Sequence, residues 1–157
     1  MKKSPFPNNE SIFPKLERYC SYQERCSHDV VLKLRAWKVP KSLQEKLLKQ
    51  LKEVEMIDDQ RFADAFARGK FRVNRWGRNR ITHTLRTRQL QESVIAKALQ
   101  EIDEEQYLEA VRGLVGKKNG EINPGKTLNK REKIINFVVG KGFEPDLVLR
   151  VMQEFKI

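Results

Sequence analysis

The sequence predicts an all-α fold: three tandem three-helix repeats, helix-turn-helix-like units that form an elongated curved array. Three observations predict it. Apolar residues recur at helical spacing, and no stretch alternates polar and apolar residues long enough for a strand. One apolar pattern returns three times along the chain. Hydrophobic residues make up 39% of the chain against 34% charged, so much of each helix must face water, and neighbouring units must share their apolar faces.

The repeat aligns Leu34–Leu51 with Leu85–Ile102 and Val138–Phe155 without a gap. Leu34 meets Leu85 and Val138, Val39 meets Leu90 and Phe143, and Leu43 meets Val94 and Leu147. Leu47 meets Ala98 and Val151, Leu48 meets Leu99 and Met152, and Leu51 meets Ile102 and Phe155. Upstream, Val30, Ile81 and Ile134 fall in the same register. The spacing 43, 47, 48, 51 within a copy is that of an amphipathic helix. Short turns such as Lys38-Val39-Pro40 and Lys141-Gly142-Phe143 join the second and third helices of a unit, the geometry of DNA-binding helix pairs.

In chain order, residues 1–14 hold Pro5, Pro7 and Pro14 around Asn8-Asn9 and read as an extended or disordered tail. Repeat 1 (15–56) is predicted as helices over 15–26, 28–38 and 41–54, with Ser27 capping the second and Asp29 in its first turn. Repeat 2 (57–102) takes helices over 59–74, 78–89 and 92–102, opened by Asp58. Repeat 3 (103–157) takes helices over 104–118, 127–140 and 145–156, opened by Asp103. Carboxylates just behind these caps (Asp59; Glu104, Glu105) suit the positive end of a helix dipole.

Composition narrows the function classes. Met1-Lys2-Lys3 is followed by Ser4-Pro5-Phe6-Pro7 rather than an apolar run, and no stretch approaches a membrane span, so the expectation is a soluble cytoplasmic chain with no membrane partner. Cys20 and Cys26 are spaced for different helix faces, and only His28 and His83 could join them as metal ligands. Two reduced thiols, no metal and no cofactor are expected. No nucleophile–base pattern accompanies the histidines, and the carboxylates cluster at helix starts, so no enzyme is predicted. Residues 120–127, Gly-Glu-Ile-Asn-Pro-Gly-Lys-Thr, match the phosphate-cradling pattern G-x-x-x-x-G-K-[ST], but no strand precedes them, and a turn-rich loop between helices explains the same residues.

The net charge is +11, concentrated in residues 15–102, while 103–157 are nearly neutral. Between Asp64 and Glu92 there is no acidic residue, and that gap holds Arg68, Lys70, Arg72, Arg75, Arg78, Arg80, Arg86 and Arg88. A surface this one-sided fits a polyanion or an acidic protein. Phe62, Phe66, Gly69 and Val73 are predicted as the buried stripe of the helix, with Arg68, Arg72 and Arg75 on a face toward water. Arg78 and Arg80 open the next helix, where cations oppose the dipole, so a phosphate or partner carboxylate held by free backbone N–H groups and the two arginines is the expectation there. Arg86 and Arg88, near the end of that helix, are favourable without a ligand. Trp76 reads as a core residue at a helix junction or as a surface for a base. A different class of function is a stand-alone basic helical DNA-binding module, with Asn79, Arg80 and His83 aimed at base edges.

The run Asp58-Asp59-Gln60-Arg61-Phe62-Ala63, with Phe66, Arg72, Gly77, Ile81, Leu85 and Glu101-Ile102-Asp103, resembles the RecX family of regulators of the RecA recombinase. Tyr22-Gln23-Glu24-Arg25-Cys26-Ser27 and Lys141-Gly142-Phe143-Glu144-Pro145-Asp146-Leu147-Val148 are similar to that family too. The resemblance spans about residues 16 to 155. It implies tandem three-helix repeats and a monomer lying along the groove of a RecA–single-stranded DNA filament. It also implies inhibition of RecA's recombinase, ATPase and coprotease activities, within recombination, DNA repair and the SOS response. Direct contact to single-stranded and also double-stranded DNA is a further implication. Trp37-Lys38-Val39 and Arg88-Gln89-Leu90 stand where the family often has a leucine and a glycine, so turns of altered shape are expected there.

Overall fold

The computed structural model describes residues 9–125 and 128–157. Among them are nine helices and no strand: α1 (Asn9–Tyr22), α2 (Ser27–Ala36), α3 (Lys41–Glu53), α4 (Asp59–Arg72), α5 (Arg78–Thr87), α6 (Glu92–Gln100), α7 (Glu104–Glu121), α8 (Lys130–Gly140) and α9 (Pro145–Glu154). They follow one another as unit 1 (α1–α3), unit 2 (α4–α6) and unit 3 (α7–α9). Two apolar cores hold them. Ile12, Leu16, Val30, Leu34, Leu47 and Leu51 make the core of unit 1, while units 2 and 3 share a second core into which Cys26 of unit 1 also reaches. The sharing that the thin hydrophobic content requires is thus realised most fully between units 2 and 3.

Burial follows some of the repeat columns, while Leu43, Val94 and Leu147 are only half-buried, as are Leu48 and Leu99. Val30, Ile81 and Ile134 are fully buried, as are Leu34, Leu85 and Val138 and also Leu47, Ala98 and Val151. The last column breaks: Leu51 and Ile102 are buried, but Phe155 is 40% exposed. Phe155 lies beyond α9, its ring against the backbone of Gly116, where no further unit covers it among the described residues.

The start of α1 corrects the expected tail. Residues 9–14 are helical, and residues 1–8 lie outside the described residues. Pro14 sits inside α1 at an exposed position, and the missing backbone donor is outweighed by Ile12 and Leu16, which enter the core of unit 1 one turn apart. Ser27 is not a cap either. Cys26 holds the N-cap, and Asp29 accepts its backbone N–H at 3.2 Å, while Ser27 is the first helical residue. Asp58 and Asp103 cap as expected, accepting the N–H groups of Arg61 and Gln106 at 2.9 Å.

The turns between second and third helices keep one shape although two of them lack glycine. Lys38 (φ 58°), Gln89 (φ 57°) and Gly142 (φ 98°) occupy one column of the repeat and are all left-handed. The N–H of Val39 donates to Leu34 and that of Leu90 to Leu85, closing the helix ends with buried Val39 and Leu90 just behind. Placing a residue with a Cβ in this region costs roughly 1 kcal/mol, which the end bonds and the buried side chain offset. The expectation of altered turns at Lys38 and Gln89 is therefore overturned.

The loop after α7 begins later than expected because α7 runs to Glu121. Ile122 to Gly125 leave it as a turn in which Asn123 Oδ1 accepts the N–H of Gly125. Lys126 and Thr127, the two residues that would complete a phosphate-binding loop, lie outside the described residues. Before that loop stands a helix, the context a phosphate-binding loop does not have.

Candidate partner and nucleic-acid interface

In α4 the buried face is Phe62, Ala63, Ala67 and Phe71, not the expected stripe Phe62, Phe66, Gly69, Val73. The stripe is rotated because Phe71 stacks on Tyr107 of α7, 5.6 Å between centroids, and draws the helix round toward unit 3. Val73 is left 81% exposed at the C-cap, and Phe66 is half-buried. The rotation leaves Arg68 and Arg72 facing water, with Arg75 exposed in the loop beyond at φ 56°. Among the described residues none of the three has a carboxylate within ion-pair distance. Arg72 and Arg75 line a cleft of about 600 Å³ with Phe71, Ala110, Leu114, Lys117 and one carboxylate, Glu109, which pairs with Arg112 at 2.6 Å.

Arg78 has a different role from the one its position suggested. Its guanidinium pairs with Glu104 and, at 3.3 Å, with Glu144, and lies 3.9 Å from the Tyr107 ring centroid. The backbone donors at the start of α5 are likewise occupied. Gly77 donates to the Lys141 carbonyl and Asn79 to that of Gly142, both at 2.9 Å, and Arg78 donates to the Tyr107 hydroxyl at 2.9 Å. The expected anion site at this helix start is therefore filled by unit 3. Burial lowers the Arg78 pKa, but the Glu104 hydrogen bond, with Tyr107, Glu104 and Glu144 nearby, more than reverses this, and the net shift is upward.

Tyr107 joins this junction from below. Its hydroxyl donates to Glu144, and burial first, then that hydrogen bond, push its pKa far above the ordinary value. An unfolded tyrosine titrates near 10. Its contribution is thus fully present below about pH 10 and is lost above it, where only the unfolded chain releases the proton. Tyr107→Phe is expected to cost about 2 kcal/mol at neutral pH through the orphaned Arg78 N–H and Glu144. Urea denaturation at pH 7 and above pH 10 checks this: part of the alkaline loss of stability should disappear in the variant.

The remaining cations divide. Arg86 is held by Glu92 at 2.6 and 3.0 Å; that hydrogen bond raises the arginine pKa and lowers the glutamate's. Arg88 pairs with Asp29 at 2.6 Å and ties unit 2 to unit 1, beside the bond from the Ser27 N–H to Asp59 at 2.8 Å. Arg80 stays exposed with no ion pair among the described residues, its guanidinium 4.1 Å from the Trp76 centroid, and Lys70 lies 4.8 Å from the same ring. Sequence reasoning gave no site role to Tyr107 or to Lys141, although Lys141 stands in the turn before Gly142 and heads the run similar to RecX. Cys20 and Cys26 are free thiols whose pKa values burial raises, and no group of metal-ligating side chains is found among the described residues. No described helix is long and apolar enough to cross a membrane.

Three-helix units in series, with exposed arginines that have no ion pair among the described residues on the middle one, define a helical-repeat protein. Within that class the similarities are specific. Residues 58–99 match the family model for the second three-helix domain of RecX. The regulatory protein RecX of Bacillus cytotoxicus is 27% identical over 138 residues, 88% of this chain and 51% of that protein. RecX of Bacillus mycoides is 26% identical over the same shares. A crystal structure of regulatory protein RecX superposes with a TM-score of 0.83 at 25% identity, over 92% of this chain and 71% of that one. RecX from Lactobacillus salivarius shares the fold, with a TM-score of 0.85 at 22% identity over 94% and 96%. The chain is thus similar to RecX regulatory proteins over most of its length, and it spans about half the length of the Bacillus relatives it matches.

Proposed function

We propose that the chain binds the RecA–single-stranded DNA filament as a monomer and inhibits RecA's recombinase, ATPase and coprotease activities. The observation that carries this reading is the set of Arg68, Arg72 and Arg75, exposed and without an ion pair among the described residues, on the unit that matches RecX. Fully hydrated, unpaired cations on one face lose little by binding and release counterions from a polyanion when they do. Units 1 and 3 hold that face in place through the Arg88–Asp29 pair on one side and the Arg78–Glu104–Glu144 cluster on the other. The chain would then act by occupying the filament, not by chemistry.

Mixing the protein with preformed filaments and sedimenting them tests this reading. Co-sedimentation that weakens with salt is expected; a chain left in the supernatant at low salt contradicts it. A stand-alone module that reads duplex sequence has less support. Such a module needs the start of a recognition helix at base edges, and the first N–H groups of α5 are turned into unit 3.

A further inference from the structure

The two joints of the array are built differently. Units 2 and 3 share one apolar core, with Phe71 on Tyr107 and Tyr107 on Phe143 at 5.6 and 5.1 Å between centroids, and Gly77 and Asn79 donate backbone hydrogen bonds across the boundary. Unit 1 has a core of its own, and among the described residues Cys26 is its one side chain in the core of units 2 and 3. The contacts around that thiol are polar. Asp29 Oδ2 accepts the N–H of Cys26 at 3.2 Å, and Asp29 Oδ1 accepts from Arg88 at 2.6 Å, so one carboxylate both seats the cysteine and ties it to unit 2. Arg61 donates to Glu24 at 2.8 Å and to the carbonyls of Glu55 and Met56 at 3.0 and 3.4 Å. The Ser27 N–H donates to Asp59 at 2.8 Å. Arg61, Glu24 and Arg88 are all partly exposed. A cleft of about 450 Å³ is lined from both bodies, by Lys52 and Ile57 of unit 1, Asp58 and Asp59 at the start of α4, and Gln89, Gln91 and Val94 of unit 2. The chain crosses once, at Ile57–Asp58: Ile57 is buried in the core of unit 1, and the next residue caps α4.

We propose that unit 1 is a rigid arm that turns about Ile57–Asp58, latched in the free chain by Arg88–Asp29 and Arg61–Glu24 and seated by Cys26. Hinges are formed by a few residues at the ends of elements, and this one joins two bodies that each keep an apolar core. Partly exposed ion pairs hold weakly and are screened by salt. A single buried thiol adds little apolar contact beside the aromatic stack at the other joint. The latched and open forms therefore lie close in free energy, and the joint opens without unfolding either core. Latched, unit 1 braces the body that carries Arg68, Arg72 and Arg75. Open, the shared core of units 2 and 3 keeps that body's shape while the arm changes its angle to follow a curved partner.

Cys26 reports the latch, because it is 0% exposed while the arm is seated. Cys20→Ser leaves it as the only cysteine of the two in the chain. Labelling with N-ethylmaleimide, a neutral reagent, should speed up about 10-fold between about 0.05 M and about 0.5 M sodium chloride. Adding Arg61→Gln and Arg88→Gln, with the circular dichroism unchanged, should give the fast rate already at the lower salt. A second reporter separates opening from unfolding: Ala98→Cys, at a fully buried position in the core of units 2 and 3, in a chain whose two native cysteines are replaced by serine. It should stay protected at the salt that frees Cys26. Equal labelling of the two reporters, or a Cys26 rate that neither salt nor the arginine variant changes, overturns the latch. No partner is present in this test, so its failure leaves the filament reading standing.

Discussion

Alanine at Gly77 is expected to part unit 2 from unit 3, at a cost above about 3 kcal/mol. A Cβ there would lie 2.3 Å from the backbone carbon and oxygen of Gly142 and 2.3 Å from the nitrogen of Phe143. These are backbone atoms at the turn where Gly77 and Asn79 make their bonds across the boundary, so no side chain can swing away to make room. Relief would require the α5 start to lift off the α8–α9 turn. That would break both hydrogen bonds and open the core that Phe71, Tyr107 and Phe143 share. Gly142→Ala should be comparably harmful, since its φ is 98° and its added Cβ would lie 2.3 Å from Arg80 Cβ. Gly69→Ala is the control: it is helical, nothing lies within 4 Å, and a gain of roughly 0.5–1 kcal/mol is expected. Urea midpoints for the three variants check the ranking, and a Gly77→Ala protein as stable as the parent would contradict the junction.

Reversing Arg68, Arg72 and Arg75 together to glutamate should have the largest effect on binding. Among the described residues none of the three has an ion pair, so their loss should leave folding within about 0.5 kcal/mol. Three contacts to a polyanion would become three repulsions, and filament affinity should fall at least about 100-fold, with a shallower salt dependence. Reversing Arg78 instead would damage the Glu104–Glu144 junction and lower stability, so a loss of binding there would not report on the surface. The two classes of arginine can therefore be separated by measuring stability and affinity on the same variants.

How much of this was legible in the sequence follows from range. The helices and repeat columns are local and periodic, and the burial of Val30, Ile81 and Ile134 or of Leu47, Ala98 and Val151 follows from spacing alone. The start of α1 was not legible, because three prolines outweigh an apolar pair whose value appears only once Ile12 and Leu16 meet α2 and α3. The basic stretch showed an absence of acids within its own segment, which says nothing of acids arriving from elsewhere. Asp29, 59 residues before Arg88, and Glu144, 66 residues after Arg78, are invisible to any local count. The rotated face of α4 was missed for the same reason. Phe71 is set by Tyr107, and no periodicity within α4 could distinguish Phe62–Phe66–Gly69 from Phe62–Ala63–Ala67 as the buried side.

The most direct measurement is RecA's single-stranded-DNA-dependent ATPase, titrated with the parent protein and with the Arg68, Arg72 and Arg75 glutamate variant after matched helical content is confirmed. The account predicts that the parent lowers ATP turnover on preformed filaments, and that the variant leaves it unchanged. A variant that inhibits as strongly as the parent, or a parent that leaves turnover untouched at saturation, would contradict it.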